Sequence, residues 1–230
     1  MVRKLIIATL IGLTFAAWQP FSSAAEAPTI IAAPTLDNPK AASALQTTVV
    51  AGRCFWGMQG VFEHVKGVRK VVAGYAGGDK DSANYNAVSK GSTNHAEAVQ
   101  ITYDPAQVSY GELLHIFFSV AHDPTQLNRQ GPDAGTQYRS NIFYTDSAQK
   151  NIALTYIAQL NKSKAFPRDI ATRVDSFKSF YAAEDYHQDF LAYNPNHAYI
   201  MINDLPKIEN LKRIFPNYYS AQPVLLNKST

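Results

Sequence analysis

Two side chains in this sequence are placed to do chemistry. Cys54 is the sole cysteine among 230 residues and lies in Gly52-Arg53-Cys54-Phe55-Trp56-Gly57. Glu97 lies in His95-Ala96-Glu97-Ala98-Val99-Gln100-Ile101-Thr102-Tyr103, which alternates strongly. In a strand, residues 97, 99, 101 and 103 share one face. Glu97 then ends a buried apolar row, where desolvation favours the neutral acid and makes it a proton donor near neutral pH. Each residue has a plainer reading. A lone cysteine is equally well a small core residue, and a strand-end carboxylate is equally well solvated. Taken together, a thiolate needs an electrophile, and a neutral acid with phenols can protonate and hydrogen-bond a polar oxygen as it leaves. Phe55 and Trp56 place an apolar wall beside the thiol that suits a methyl group. Attack on sulfur, proton delivery to oxygen and a pocket for S–CH3 are what sulfoxide reduction requires.

The flanking pattern must hold these groups in place. Residues 47–51 are β-branched and short, a glycine turn follows, and Met58, Val61, Phe62 and Val65 recur at helical spacing. Cys54 therefore sits at a strand-to-helix junction. Unpaired N–H groups and the positive dipole end there favour thiolate over thiol. Residues 67–73 read as a returning strand, and 74–78 as its turn. A polar loop over 79–94 carries Tyr85, and the strand through Glu97 stops at Asp104-Pro105. Residues 108–121 are helical, with Leu113, Leu114, Phe117 and Val120 on one face. Residues 122–137 form a long irregular stretch, which in a compact domain is often functional. A strand over 139–145 and a helix capped by Ser147 and running to about residue 163 follow. Residues 170–177 read as a strand and 184–193 as a helix, and beyond Asn194 there is little periodicity until 205–215. The order β-α-β-β-α-β over 47–145 predicts an α+β fold. It is a two-layer sandwich of a mixed β-sheet with a split βαβ, ferredoxin-like core and a C-terminal extension.

Composition bounds the function classes. Hydrophobic residues at 46% and aromatics at 12% suffice for a real core. Arg3 and Lys4 precede an apolar run over residues 5–18, followed by small residues to Ala27, the pattern of a secretory leader cleaved near Ala25. The run is short for a membrane span of about 20 residues. Removing Arg3 and Lys4 with the leader takes 21 basic residues to 19 against 18 acidic, a net charge of +1 that disfavours nucleic acid as a partner. The expected organisation is a signal peptide over 1–25, a flexible linker rich in Ala, Pro, Ser and Thr over 26–46, a catalytic domain over 47–218 and a tail over 219–230. The protein is expected to be exported, periplasmic or secreted, and monomeric. A single odd cysteine outside the cytoplasm suggests a reactive thiol or an intermolecular pair.

The chain resembles the A-type peptide-methionine sulfoxide reductases over roughly residues 47–216. The matching segments are Gly52-Arg53-Cys54-Phe55-Trp56-Gly57, Gly74-Tyr75-Ala76-Gly77-Gly78, His95-Ala96-Glu97-Ala98-Val99, His122-Asp123-Pro124-Thr125, and Ala183-Glu184-Asp185-Tyr186-His187-Gln188. The most specific is Asn128-Arg129-Gln130-Gly131-Pro132-Asp133-Ala134-Gly135-Thr136-Gln137-Tyr138-Arg139-Ser140. The resemblance implies reduction of the S epimer of methionine sulfoxide, free or in proteins. It implies Cys54 as nucleophile, Glu97 as acid, Tyr85 and Tyr138 as hydrogen-bond donors to the sulfoxide oxygen, Phe55 and Trp56 as the methyl pocket, and Asp133 as a group that positions substrate and water. No metal or organic cofactor is implied. Family members often carry further cysteines, one before the His-Ala-Glu segment, where Ser89 stands here, and resolving ones in the tail. With Cys54 alone, its sulfenic acid is expected to be recycled by an external thiol: thioredoxin, glutaredoxin or glutathione.

Other readings fit less well. A Cys-His hydrolase or acyltransferase has six histidines to draw on but lacks a papain-like or caspase-like cysteine context. His95-Ala96-Glu97 resembles the His-x-Glu of zinc deaminases without their Cys-x-x-Cys. His122 and Asp123 read as loop braces, and His187 with Glu184 and Asp185 as a structural network. A non-catalytic exported binding module leaves the joint presence of Glu97, Tyr85, Asp133 and Tyr138 unexplained.

Overall fold

A computed structural model describes residues 27–40 and 44–226. The signal peptide expected over 1–25 lies outside the described residues. In chain order the elements are β1 Gln46–Ala51, α1 Phe55–Glu63, β2 Val68–Ala76, α2 Tyr85–Val88, β3 Ala96–Tyr103, α3 Tyr110–Ile116, β4 Arg129–Gln130, β5 Asp133–Ala134, β6 Asn141–Tyr144, α4 Ser147–Lys162, β7 Arg173–Ser176, β8 Phe180–Ala182, α5 Phe190–Tyr193, α6 Ala198–Asn203 and α7 Leu205–Ile214. One sheet runs β7-β6-β1-β3-β2-β8, and β4 with β5 makes a separate hairpin. Its four central strands are antiparallel in the order of the split βαβ core, and β7 joins β6 in parallel, which makes the sheet mixed.

The alternation of β3 sets two faces. Val99, Ile101 and Tyr103 pack with Val50 and with Phe55, Met58, Val61 and Phe62 of α1 in the main core. Ala96 and Ala98 join Val49, Ala51 and Phe143 on the other face, beneath Phe177 and Phe180. Central strands covered on both sides read as continuous apolar runs. β2 continues through Gly74, Tyr75 and Ala76, where a turn was expected, because those residues pair with β8 and with β3. A Cβ at Gly74 would lie 2.3 Å from the Tyr181 carbonyl oxygen, so β8 requires glycine there. Residues 184–193 are not one helix. A 3₁₀ turn over Asp185–His187 is cut from α5 at Asp189, which takes a left-handed φ of 54°. The cap of α4 is Asp146, whose carboxylate accepts from Gln149 N at 2.8 Å, and Ser147 is the first helical residue.

The flexible linker expected over 26–46 is instead packed over the described residues 27–40. Thr29 N donates to Ser119 O at 2.9 Å, His115 meets Ile31 O, and Tyr156 Oη and Gln159 Nε2 donate to Ala32 O and Ala33 O. Prolines hold such a segment extended, and its carbonyls are then satisfied one after another by side chains of α3 and α4. The tail expected over 219–230 also packs on the domain as far as it is described. Ser220 N and Val224 N donate to His64 O and Glu63 O, and Leu226 N donates to Asp189 Oδ1.

That tail closes over Glu63, a wholly buried carboxyl on α1. Burial, a hydrogen bond with Asp189 and the Asp189 charge push it up to about 9, from an ordinary value of 4.5. The folded chain thus holds this proton more tightly than the unfolded chain. Its contribution to stability is full below about 4.5 and is lost as pH rises toward and through 9. Glu63→Gln, neutral at every pH, removes that loss. Its urea midpoint is expected to rise relative to the parent between pH 5 and pH 9, and parallel midpoint-against-pH curves would contradict this assignment.

Candidate active site

β1 pairs with β3 so that Ala51 lies opposite Ala98, and β2 pairs with β3 so that Tyr75 lies opposite Glu97. Glu97 is thereby carried just past the end of β1, where the chain turns into α1. Cys54 occupies the N-cap position of α1 but makes no capping bond. The cap is Glu97, whose Oε2 accepts from Phe55 N at 3.1 Å. A carboxyl from another strand therefore fills the site that an anion would take at a helix N-terminus.

This arrangement reverses the expected state of the thiol. Cys54 is only 9% exposed. Burial pushes the thiol well above its ordinary value, the carboxylates of Glu97, Asp204 and Asp133 push the same way, and the Trp56 N–H opposes them only in part. The resting nucleophile is a thiol, because it is buried and because the helix end that would favour its anion faces carboxyl groups instead. Glu97, 2% exposed, is pushed up to about 8 by burial, with Asp133 adding to the rise and hydrogen bonds from Phe55 N and Cys54 opposing it. At neutral pH the thiol and the carboxylic acid are neighbours and both hold their protons.

The other expected residues gather around this pair. Tyr85 on α2 and Tyr138 at the end of a 3₁₀ turn are half-buried, and both hydroxyls are raised by burial and then by the charges of Glu97 and Cys54. They are neutral donors within electrostatic reach of the thiol. Asp133 comes from the β4–β5 hairpin, and its Oδ2 accepts from Tyr199 Oη at 2.5 Å. Trp56 stacks on Phe190 at 3.8 Å and meets the edges of His197 and Tyr199 at 6.0 Å. Its Nε1 donates to His187 Nδ1 at 3.2 Å. Phe55 is buried behind it, against Tyr75 and His187. Trp56 is thus the partly open aromatic face and Phe55 its backing.

Four further residues complete the site and were not anticipated in it. Tyr199 holds Asp133. Phe190 orients Trp56. Glu184 accepts from Tyr75 Oη at 2.8 Å and from Tyr85 N at 2.9 Å, fixing the start of α2. His187, expected in a structural network, packs against Phe55, Trp56, Tyr85 and Tyr186. Only Glu184 and His187 lay in a segment the sequence had marked. His122 is the loop brace expected of it, with ring contacts to Phe117 O and Ser140 Oγ. His64, His95 and His115 are bound to backbone carbonyls elsewhere, and the charged groups that act most on Cys54 are carboxylates. Among the described residues no cluster of three His, Cys, Asp or Glu side chains is arranged to hold a metal.

Residues 46–218 match the family model described as peptide methionine sulfoxide reductase. The chain is 59% identical over 187 residues to a peptide methionine sulfoxide reductase of Mesorhizobium japonicum, covering 81% of this chain and 96% of that one. It is 54% identical over 196 residues to one from Synechocystis, covering 84% and 92%. Among solved structures, methionine sulfoxide reductase A of Corynebacterium diphtheriae is similar at a TM-score of 0.57 and 32% identity, over 74% of this chain and 89% of that one. Reduced Mxr1 from Saccharomyces cerevisiae is similar at 0.59 and 34% identity, over 66% and 87%.

Proposed function

The chain belongs to the peptide methionine sulfoxide reductase family, and on that premise we propose that Cys54 and Glu97 carry the reduction, with an external thiol restoring the enzyme. The reaction is conversion of the S epimer of methionine sulfoxide to methionine, a repair of oxidised proteins. In the proposed sequence the Cys54 sulfur attacks the sulfoxide sulfur while Glu97 protonates the sulfoxide oxygen. The S–O bond breaks as the protonated oxygen departs as water, leaving Cys54 bonded to the methionine sulfur. Water then attacks the Cys54 sulfur, the S–S bond breaks, the methionine thioether leaves, and Cys54 is left as a sulfenic acid. Cys–SH and R–S(O)–CH3 become Cys–SOH and R–S–CH3, so the two protonated groups supply what the step needs. Tyr85 and Tyr138 hydrogen-bond the oxygen, Asp133 positions substrate and water, and Trp56 backed by Phe55 receives the methyl group. No prosthetic group enters the sequence. Two equivalents of thioredoxin-type, glutaredoxin or glutathione thiol then return Cys54 to the thiol with release of water and formation of a disulfide outside this chain.

The observation that supports this reading best is the placement of the Cys54 thiol against a carboxylic acid that keeps its proton to about pH 8, beside an aromatic face. A single turnover without added reductant tests it. About one methionine per chain is expected from the S epimer alone, with the protein heavier by one oxygen on Cys54. No methionine, or methionine without the added oxygen, would overturn it.

We also propose that the protein is exported and acts as a monomer on oxidised proteins outside the cytoplasm. Arg3-Lys4, the apolar run after them and the small residues near Ala25 support this. The N-terminus of protein recovered outside the cytoplasm is expected near Glu26. A mature protein that still begins at Met1 would contradict cleavage.

A further inference from the structure

A cluster of buried charges lies directly beneath the nucleophile. Arg53, the residue before Cys54, is 1% exposed, although it is the longest cation the chain offers. Its Nη2 donates to Asn203 Oδ1 at 2.9 Å, and its Nε lies 3.6 Å from Asp133 Oδ2. Lys207 at the start of α7 is equally buried and meets Asp204 Oδ1 at 3.2 Å. Asp204 sits against the first turn of α1, so closely that a Cβ on Gly57 would lie 2.2 Å from its Oδ1. Two cations and two carboxylates are thus enclosed together, drawn from the α1 turn, the β4–β5 hairpin and the α6–α7 corner. Removing one member of such a set leaves an uncompensated buried charge.

We propose that Arg53 and Asp204 are positioning residues of the reaction, which with Lys207 and Asp133 form a charge-balanced quartet that sets the ionisation of Cys54. This deepens the reading of Cys54 as nucleophile and rests on it. Asp204 and Asp133 both oppose ionisation of Cys54; burial raises the Asp204 carboxyl, and Lys207 and Arg53 oppose that rise and favour its charged form. The quartet therefore acts on the thiol through its net charge. The remaining groups facing Cys54 are Glu97 of β3 and the hydroxyls of Tyr85, Tyr138 and Tyr199. His122, close to both cations, is held down to about 3 and stays neutral. At neutral pH none of these hydroxyls nor His122 carries charge, and Glu97 keeps its proton below about 8, so the quartet is the adjustable part. Arg53 also fixes geometry, because it ties Asp133 and Asn203 to the residue that bears the nucleophile.

The test reads Cys54 directly, without requiring turnover. The rate of its alkylation by iodoacetamide at pH 7, where Glu97 holds its proton, followed by intact mass, reports the thiolate fraction. Arg53→Gln leaves the quartet at net −1 and is expected to slow alkylation about tenfold, while Asp204→Asn leaves it at +1 and is expected to speed alkylation about tenfold. The double variant restores neutrality and is expected within about twofold of the parent, and Arg53→Lys, which keeps the charge, is expected close to the parent as well. Should Arg53→Gln fail to fold, Asp204→Asn and the double variant still decide the matter. Single variants that shift the rate in the same direction, or a double variant that does not return to the parent rate, would overturn the proposal. With methionine sulfoxide as substrate, kcat/KM of Arg53→Gln is expected to fall about tenfold, because Arg53 also holds the substrate-positioning Asp133. A parent enzyme that makes no methionine would instead remove the reductase mechanism, and the alkylation series would still read the quartet.

Discussion

Cys54→Ser is expected to fold and to make no methionine from either sulfoxide epimer, a fall of at least about 10⁴-fold against the parent. Serine replaces one buried second-row atom by a smaller one in a site that already lacks a capping bond from this side chain, so the helix start is kept by Glu97. The unfolding midpoint should move by no more than about 1 kcal/mol equivalent. What is lost is the polarisable sulfur. A hydroxyl is a poor nucleophile toward sulfur. A purely structural cysteine would behave in the opposite way, with a stability cost and intact turnover. Slow reaction of the resting parent with iodoacetamide would not argue for a structural role. Cys54 is buried and held as a thiol by the surrounding carboxyls, so low resting reactivity and catalysis are compatible here. The useful comparison is turnover against folding in the serine variant.

The parts of the structure that are legible in the sequence are those with a local period. The alternation of residues 97–103 placed Glu97 on the helix-facing side of β3, and the spacing of Met58, Val61, Phe62 and Val65 gave α1 and its start. The split βαβ order followed from such segments. Less visible was anything set by partners distant in the chain. Gly74 reads as a turn residue, yet it lies inside β2 because β8, more than a hundred residues later, approaches its backbone. Ala, Pro, Ser and Thr over 26–46 read as a linker because composition cannot show that α3 and α4 carry side chains aimed at carbonyls of this segment. The site divides in the same way. Cys54 and Glu97 carry their chemistry in their own types and settings, whereas the roles of Tyr85, Tyr138 and Asp133 came only with the family resemblance. Tyr199, Asn203 and Asp204 lie in a stretch of weak periodicity that Lys207 follows, and they matter because α7, with α6 packed on it, folds back against α1. The ionisation of Cys54 was misjudged for the same reason. The helix end was readable, but the carboxyls that occupy it come from elsewhere in the chain.

Glu97→Gln is the substitution that separates proton delivery from architecture. The glutamine carbonyl can still accept from Phe55 N, as Glu97 Oε2 does at 3.1 Å, so the start of α1 and the position of Cys54 are retained. Its amide can hydrogen-bond a sulfoxide oxygen but cannot transfer a proton to it. Binding should therefore persist, with KM within about threefold, while kcat falls by about 10²–10⁴-fold, the usual range for loss of a general acid. The pH dependence supplies the sign. Glu97 is raised to about 8, by burial first, and the competent form is the protonated one. The parent's kcat is thus expected to be full below this value and to decline as pH rises through about 8. In Glu97→Gln nothing titrates at that position, so the decline should disappear along with most of the rate. A glutamine variant within about threefold of the parent kcat, or one that keeps the same alkaline decline, would assign the proton to another group, with Tyr85 and Tyr138 as the neutral donors already in reach. Glu97→Ala is the weaker experiment, because it removes the acid and the cap of α1 together and cannot distinguish a lost proton from a displaced nucleophile.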